Sequence, residues 1–139
     1  MRFYLDECLS PKVLEPLRSV FKTHDFLDYM TEGLKGTKDV PLLREIATRD
    51  VDVFITVDRA QLTVPDEVRA IKAGSCHWVG LRQATGGGLS KLARTGATLL
   101  ETVAFISDNA PSAPTAFRPK ASGREHHQLF SEVVPISSL

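Results

Sequence analysis

Residues 51–57, Val-Asp-Val-Phe-Ile-Thr-Val, constrain the fold more than any other part of the chain. The run is almost entirely β-branched or aromatic, and an acid, Asp58, follows it directly. A strand with one face in water alternates apolar and polar side chains, whereas a nearly continuous apolar run is typical of a strand buried on both faces of a parallel sheet. The run therefore predicts a central parallel strand that is covered by helices on both sides.

Strand and helix patterns alternate along the rest of the chain. Further strands are expected over Arg2 to Leu5, His24 to Tyr29 and Cys76 to Leu81, with Trp78 in the core. Helices are expected after Ser10-Pro11 with a kink at Pro16, from a Thr37 or Asp39 cap, over Pro65 to Ala73, and from a Ser90 cap to about Ser107. This order predicts an α/β fold, a three-layer sandwich with a mainly parallel central sheet flanked by helices.

The chain is long enough for one such domain. We expect residues 1–109 to form it, and residues 110–139 to be a Pro/Ser-rich, poorly ordered connector followed by a tail, QLFSEVVPI, that forms an edge strand or docks on the domain. No apolar stretch approaches the roughly 20 residues that span a bilayer, and the N-terminus lacks the apolar core of a secretory signal. With Cys8 and Cys76 read as reduced packing residues, a cytoplasmic protein is expected.

Acids stand directly after two of the predicted strands. Asp6, with Glu7 adjoining, follows the first strand, and Asp58 follows the central one. In a parallel sheet the carboxyl ends of the strands share one edge, where ligands bind, so these acids are expected to meet. Converging carboxylates resist joint ionisation and are tolerated mainly at metal or acid–base sites. Oxygen ligands suit Mg²⁺ or Mn²⁺, and the Thr56 hydroxyl, on the same strand face as Asp58, is a candidate to support a ligand or a metal-bound water.

Each acid also has a simpler interpretation. Asp39 is as readily explained as the cap of its helix, because Asp is a common capping residue. Glu7 is explained equally well as a solvated loop residue, and Asp58 as the first residue of a turn. Two acids from separate strands plus a third at a nearby helix start are together a stronger signal than any one of them.

Charge is distributed unevenly although the net charge is zero. Met1 to Asp58 holds eleven acidic against eight basic residues, whereas Arg59 to Leu100 holds six basic against two acidic. An acidic half followed by a basic half suggests a cation-binding centre beside a track for a polyanion, and scattered surface charge explains the counts equally well.

Three segments carry a resemblance to a known family. LDECLSP, GLKGTKDVPLL and FITVDRAQL, in this order over roughly Met1 to Leu81, resemble the short PIN-like ribonucleases, many of them toxins of bacterial toxin–antitoxin pairs. The resemblance implies an acidic cluster of Asp6, Asp39 and Asp58, with Glu7 adjoining, that binds Mg²⁺ or Mn²⁺ and is catalytic. Ser10 and Thr56 are expected to support it. Two departures stand out, because Cys8 replaces the familiar Asn and Ala60 replaces the second acid of the Thr-x-Asp-x-Asp stretch.

The resemblance and the residues leave more than one function open. The leading hypothesis is a metal-dependent endoribonuclease, the toxin of a pair, whose partners are RNA and a cognate antitoxin, with homodimerisation left open. Cations near the metal edge would bind the RNA phosphates, and the candidates are Arg59, Arg82, Lys91 and Arg94. The alternatives are a catalytically impaired PIN-like module that binds RNA or protein, and a phosphoacceptor domain of dehalogenase-like or receiver-like type that uses Asp6 or Asp58.

Overall fold

The computed structural model describes residues 1–120, which form one sheet of five strands with four α-helices. The strands are β1 Arg2–Leu5, β2 Asp25–Asp28, β3 Val53–Thr56, β4 His77–Gly80 and β5 Ala116–Phe117. The helices are α1 Leu14–Val20, α2 Asp39–Ala47, α3 Pro65–Gly74 and α4 Gly88–Asn109. Short 3-10 helices at Pro11–Val13 and Arg59–Thr63 connect β1 to α1 and β3 to α3. The predicted tail strand QLFSEVVPI lies outside the described residues.

The sheet has the order β2-β1-β3-β4-β5, and every pair of neighbouring strands is parallel. Phe3, Tyr4 and Leu5 of β1 pair with Val53, Phe54 and Ile55 of β3, so the two strands end side by side. The chain winds outward in opposite directions from these two strands, which makes the β1/β3 edge the topological switch point of the sheet. The predicted α/β sandwich with a mainly parallel sheet is confirmed.

Two apolar cores lie on the two faces of the sheet, because successive side chains of each strand point to opposite faces. On one face, Phe3, Val53 and Val79 pack with buried residues of α1 and α4. On the other face, Tyr4, Phe54 and Trp78 pack with buried residues of α2 and α3. Phe54 is 0% and Trp78 1% exposed, as expected for central strands and for a core tryptophan. The layers are therefore α1 and α4, the sheet, and α2 and α3.

Two helices, α1 and α4, begin at residues other than the expected ones. The 3-10 helix at Pro11–Val13 delays the start of α1 to Leu14, so Pro16 falls in its first turn, where a missing backbone N–H has no helical acceptor to lose. The expectation of an interior Pro16 that kinks the helix is therefore wrong. The last helix begins at Gly88 after an N-cap at Gly87, so Ser90 lies inside α4 and is not its cap.

The segment expected to be only a connector contributes to the sheet. Ala116 pairs with Trp78 and Phe117 with Val79, and the Trp78 backbone N–H donates to the Thr115 carbonyl at 3.1 Å. Phe117 packs against the α1/α4 core. An edge strand that the sequence did not predict thus lies at 116–117, within the Pro-rich segment. No helix among residues 1–120 is both long and apolar enough to cross a membrane.

Gly80 is required by the indole of Trp78, which lies on the same face of β4. A Cβ built on Gly80 would stand inside the van der Waals radius of the Trp78 ring. We expect Gly80→Ala to lower the free energy of unfolding by about 1–3 kcal/mol or more, as overpacking of a buried site does. Gly96→Ala is the matched control, because open space surrounds Gly96 in α4 and alanine should stabilise that helix by up to ~1 kcal/mol. Urea unfolding of both variants tests this, and a neutral Gly80→Ala would contradict it.

Candidate active site

Asp6 and Asp58 lie at the switch point where β1 and β3 end. The Asp6 backbone N–H donates to the Ile55 carbonyl at 3.0 Å, which extends the pairing of the two strands by one residue. Asp6 is only 6% exposed, whereas Asp58 is exposed. The parallel pairing therefore brings the first acid of the chain beside the acid that follows the central strand.

Thr56 connects the two acids. Its hydroxyl donates to Asp6 Oδ2 at 2.7 Å and accepts from the Asp58 backbone N–H at 3.0 Å. The hydroxyl is buried and is supplied by the last residue of β3, on the face that Phe54 also occupies. Thr56 thus supports the site through the protein's own hydrogen bonds, and it fixes the Asp6 carboxylate relative to the start of the following turn.

Cys8 supplies a further donor to Asp6. Its Sγ lies 3.2 Å from Asp6 Oδ2 and 3.4 Å from Thr56 Oγ1, and it accepts from the Val57 backbone N–H at 3.3 Å. Burial raises the pKa of the Cys8 thiol to about 11, so the group is neutral at pH 7 and donates to the carboxylate. The other oxygen of Asp6 accepts from the Glu7 backbone N–H at 2.8 Å. Cys8 is therefore a free cysteine whose thiol is a polar neighbour of Asp6. It occupies the position where the resemblance leads us to expect Asn.

Asp58 begins the 3-10 helix Arg59–Thr63. Its Oδ1 accepts from the Ala60 backbone N–H at 2.9 Å, which makes it the N-cap of that helix. The turn interpretation of Asp58 is therefore correct, and it is compatible with a ligand role because Oδ2 has no hydrogen-bond partner among residues 1–120.

Asp39 is held by a side chain from that same 3-10 helix. Asp39 is the first residue of α2, and Lys38, not Asp39, occupies the N-cap position. Asp39 Oδ1 accepts from Gln61 Nε2 at 3.1 Å, and Gln61 Oε1 accepts from Trp78 Nε1–H at 3.1 Å. Gln61 is 0% exposed, so the relay runs through the interior and ends at Asp39, which is half-buried at the surface of the cleft. The capping interpretation of Asp39 is thus wrong, and the core tryptophan orients its carboxylate through Gln61.

Glu67, which no pattern in the sequence singles out, lies near Asp39 and Asp58. Desolvation, and then the negative charges of Asp39 and Asp58, raise the pKa of its carboxyl group. Glu67 stands in the first turn of α3, where an acid is unremarkable because it interacts favourably with the helix dipole. The sequence carries no other signal for it, and the packing of α3 against α2 brings it to the site.

We name the depression between these elements the acidic cleft; its volume is about 530 Å³, and Glu7, Asp39 and Glu67 line it. Glu7 is exposed, and its Oε2 accepts from the Gly36 backbone N–H at 2.8 Å, which ties the glycine loop before α2 to the end of β1. Gly36 has φ +72°, a conformation that favours glycine. Glu7 therefore fixes the loop that leads to Asp39.

The predicted cationic residues are placed differently from one another. Lys91 lines a second cavity, together with Ser10 and Cys8. Ser10 also caps the first 3-10 helix, because its hydroxyl accepts from the Lys12 backbone N–H at 3.4 Å. Arg59 is exposed beside Asp58, and Arg82 is exposed after β4. Arg94 is half-buried, with Nη1 donating to Thr85 Oγ1 at 3.3 Å.

The acidic side chains of the site carry the type of ligand atom that a hard divalent cation prefers. Asp39, Asp58 and Glu67 offer carboxylate oxygens, and Mg²⁺ and Mn²⁺ prefer oxygen ligands and retain several waters. Within residues 1–120, no three acidic, histidine or cysteine side chains stand as a ready-made coordination group. Asp6 differs from the other acids because protein donors engage both of its oxygens. Glu67 thus lies close enough to Asp39 and Asp58 for their charges to raise its pKa, and Asp6, whose oxygens are both bonded by the protein, is connected to the Asp58 backbone through Thr56.

The fold and the site together define an α/β domain with an acidic cluster at the carboxyl edge of a parallel sheet. The family model of the PIN like domain matches residues 1–83, which include β1 to β4 and all four of these acids. The chain belongs to the PIN-like domain family, a membership that suggests a nuclease-type function. No curated protein and no solved structure gives a significant match to the chain.

Glu67 gives the site a measurable pH dependence. Because its pKa is raised in the folded protein, its contribution to stability is full below the ordinary carboxyl pKa and is lost as the pH rises through the raised value. We therefore expect Glu67→Gln to lose less stability than the wild type between pH ~4 and ~7. Asp66→Asn, the neighbouring acid, should retain the wild-type loss. Urea unfolding across this range is the measurement, and parallel profiles for wild type and Glu67→Gln would contradict the placement of Glu67.

Proposed function

We propose that the protein is a metal-dependent endoribonuclease that cleaves RNA phosphodiester bonds. The observation that carries the proposal is that Asp39 and Glu67 line one cleft with Glu7, while the charges of Asp39 and Asp58 both raise the pKa of Glu67. The negative charges of Asp39 and Asp58 oppose ionisation of Glu67, so the fold keeps these carboxylates near one another against their repulsion. An acidic cluster kept against such repulsion is typical of a cation site.

Asp39 and Asp58, with Glu67 adjoining, would hold the ion. Each of the two aspartates has one carboxylate oxygen bound by the protein, and the other has no hydrogen-bond partner among residues 1–120. When bound, Mg²⁺ or Mn²⁺ supplies an activated water and neutralises charge on the phosphodiester. The ion would also relieve the repulsion among the three carboxylates.

The remaining residues position the acids. Gln61 fixes Asp39 from one side, and Thr56 fixes both the Asp6 carboxylate and the backbone of Asp58 from the other. All three supporting bonds are made in the resting protein, so substrate binding need not provide the free energy of ordering these groups. Asp6 accepts three hydrogen bonds from the protein next to the site, which fix the orientation of its carboxylate.

A toxin role within a toxin–antitoxin pair is the finer form of the proposal. It is supported by the resemblance of LDECLSP, GLKGTKDVPLL and FITVDRAQL to the toxin-type relatives. A cognate antitoxin would then be the protein partner. We expect expression of the wild-type chain to stop cell growth. The same cells should tolerate expression of the Asp39→Asn or Asp58→Asn variant.

A second function is favoured by one specific observation. Ala60 stands where an acid is expected and leaves the 3-10 helix without a carboxylate at that point, and both oxygens of Asp6 are occupied by protein donors. These features favour a PIN-like module that binds RNA or protein without turnover. The phosphoacceptor alternative is not retained, because the family assignment does not support it.

Substitution of the two aspartates separates these functions. We expect Asp39→Asn and Asp58→Asn each to lower Mn²⁺-dependent cleavage of single-stranded RNA by at least ~100-fold, because each removes a charge from the cation site. Asp108→Asn, near the C-terminal end of α4, is the matched control and should cleave like the wild type. The assay compares Mn²⁺ with a chelator, and isothermal titration measures Mn²⁺ binding by each variant. Chelator-insensitive activity, or none in the wild type, would contradict the nuclease and favour the binding module.

Ala60→Asp tests the departure from the family pattern. The position is exposed in the 3-10 helix that Asp58 caps, one residue before Gln61. We expect the new carboxylate to tighten Mn²⁺ binding, because it adds an oxygen ligand of the preferred type. Ala60→Asn is the matched control for shape without charge. Equal Mn²⁺ affinity in both variants would show that position 60 does not face the cation.

A further inference from the structure

A second cavity lies at the carboxyl edge of the sheet, on the α1/α4 face, with a volume of about 480 Å³. Ligand sites in proteins typically enclose ~300–1,000 Å³. Its floor includes Cys8 and Val57, which follow β1 and β3, and its walls come from the turn after β1 and from the first turns of α4. We name it the basic cavity for its two lysines, Lys12 and Lys91.

The charge of the basic cavity is opposite to that of the acidic cleft. Lys12 and Lys91 line it, no Asp or Glu does, and neither ammonium group has a hydrogen-bond or ion-pair partner among residues 1–120. The basic cavity is therefore suited to an anionic ligand.

The two depressions adjoin at the turn after β1. Glu7 lines the acidic cleft, and the next residue, Cys8, lines the basic cavity while its Sγ lies 3.2 Å from Asp6 Oδ2. A nucleic-acid strand with one nucleotide in the basic cavity would thus continue past Asp6 toward Asp39 and Asp58. Apolar side chains of Leu89 and Leu92 also line the basic cavity and offer contact area to a flat base.

We propose that the basic cavity binds one nucleotide of a single strand, next to the phosphodiester at the acidic cleft, with Lys12 and Lys91 on its phosphates. This inference rests on the proposed nuclease function, because only a nuclease would place the bound nucleotide next to a phosphodiester to be cleaved. Bases in a duplex are stacked and paired, so a cavity of this kind takes a base only from a single strand or an unpaired loop. Lys12 is new to the site, because the sequence showed it only as a helix residue after Ser10-Pro11.

Binding is measured in EDTA, where no metal-dependent cleavage occurs, with a fluorescein-labelled single-stranded RNA and a DNA of the same sequence. We expect Lys12→Gln and Lys91→Gln each to weaken binding and to make the slope of log K against log salt less steep by about 0.7. Lys22→Gln, the same change beyond the far end of α1, should leave both quantities unchanged. If the lysine substitutions weaken RNA and DNA binding equally, the contacts are made to the phosphate and base that both strands share. If they weaken only RNA binding, the contacts include the ribose as well.

Two further variants test the cavity itself. Thr95→Trp fills it without changing charge, and Leu89→Glu adds a carboxylate at a side chain that is 83% exposed and so tolerates substitution. Both should weaken binding in a protein whose melting temperature shows it to be folded. Wild-type affinity in Leu89→Glu, or in a folded Thr95→Trp, would overturn the inference even if the lysine variants bind less. Loss of binding in these variants together with an inactive wild type would uphold the cavity and refute the nuclease, so the two failures are distinguishable.

Discussion

The parallel pairing of β1 with β3 is the constraint on which the rest of the molecule depends. It places two strands that are distant in sequence side by side, buries both faces of each, and ends them together. Asp6 and Asp58 meet because these strands stop in register, and Thr56 converts that proximity into two hydrogen bonds. The same pairing creates the switch point, so the depressions on the two faces of the sheet open toward one edge.

Much of this arrangement could be predicted from the sequence, because it depends on periodicity and on strand ends. Residues 51–57 indicated a buried parallel strand, and the acids after residues 5 and 57 indicated the edge where a site would lie. The bounds of helices and strands without such a pattern were harder to predict. Ser90 has the chemistry of a cap, yet the glycines before it let α4 begin earlier at Gly88. The short edge strand at 116–117 depends on backbone pairing with β4, which no side-chain pattern announces.

The site was predictable in outline and not in its connections. Asp39 could not be told from a cap, since the residue that decides the question, Gln61, contacts it only after the 3-10 helix and α2 have packed. Glu67 looked like an ordinary acid at a helix start, and only the position of α3 exposes it to the charges of Asp39 and Asp58. Cys8 looked like a simple packing residue, yet its thiol donates to the Asp6 carboxylate across the end of β1. Long-range polar contacts of this kind leave no local pattern in a sequence.

The bond from Trp78 to Gln61 has a consequence beyond positioning. Trp78 is the only tryptophan of the chain, so its indole alone accounts for the tryptophan fluorescence of the protein. Its N–H is one hydrogen bond from Gln61 and two from the Asp39 carboxylate. A change of charge at Asp39 alters the electric field along that relay and shifts the emission of a chromophore that water does not reach. The interior of the sheet thus contains an optical probe of the acidic cleft, and no label is needed to follow what binds there.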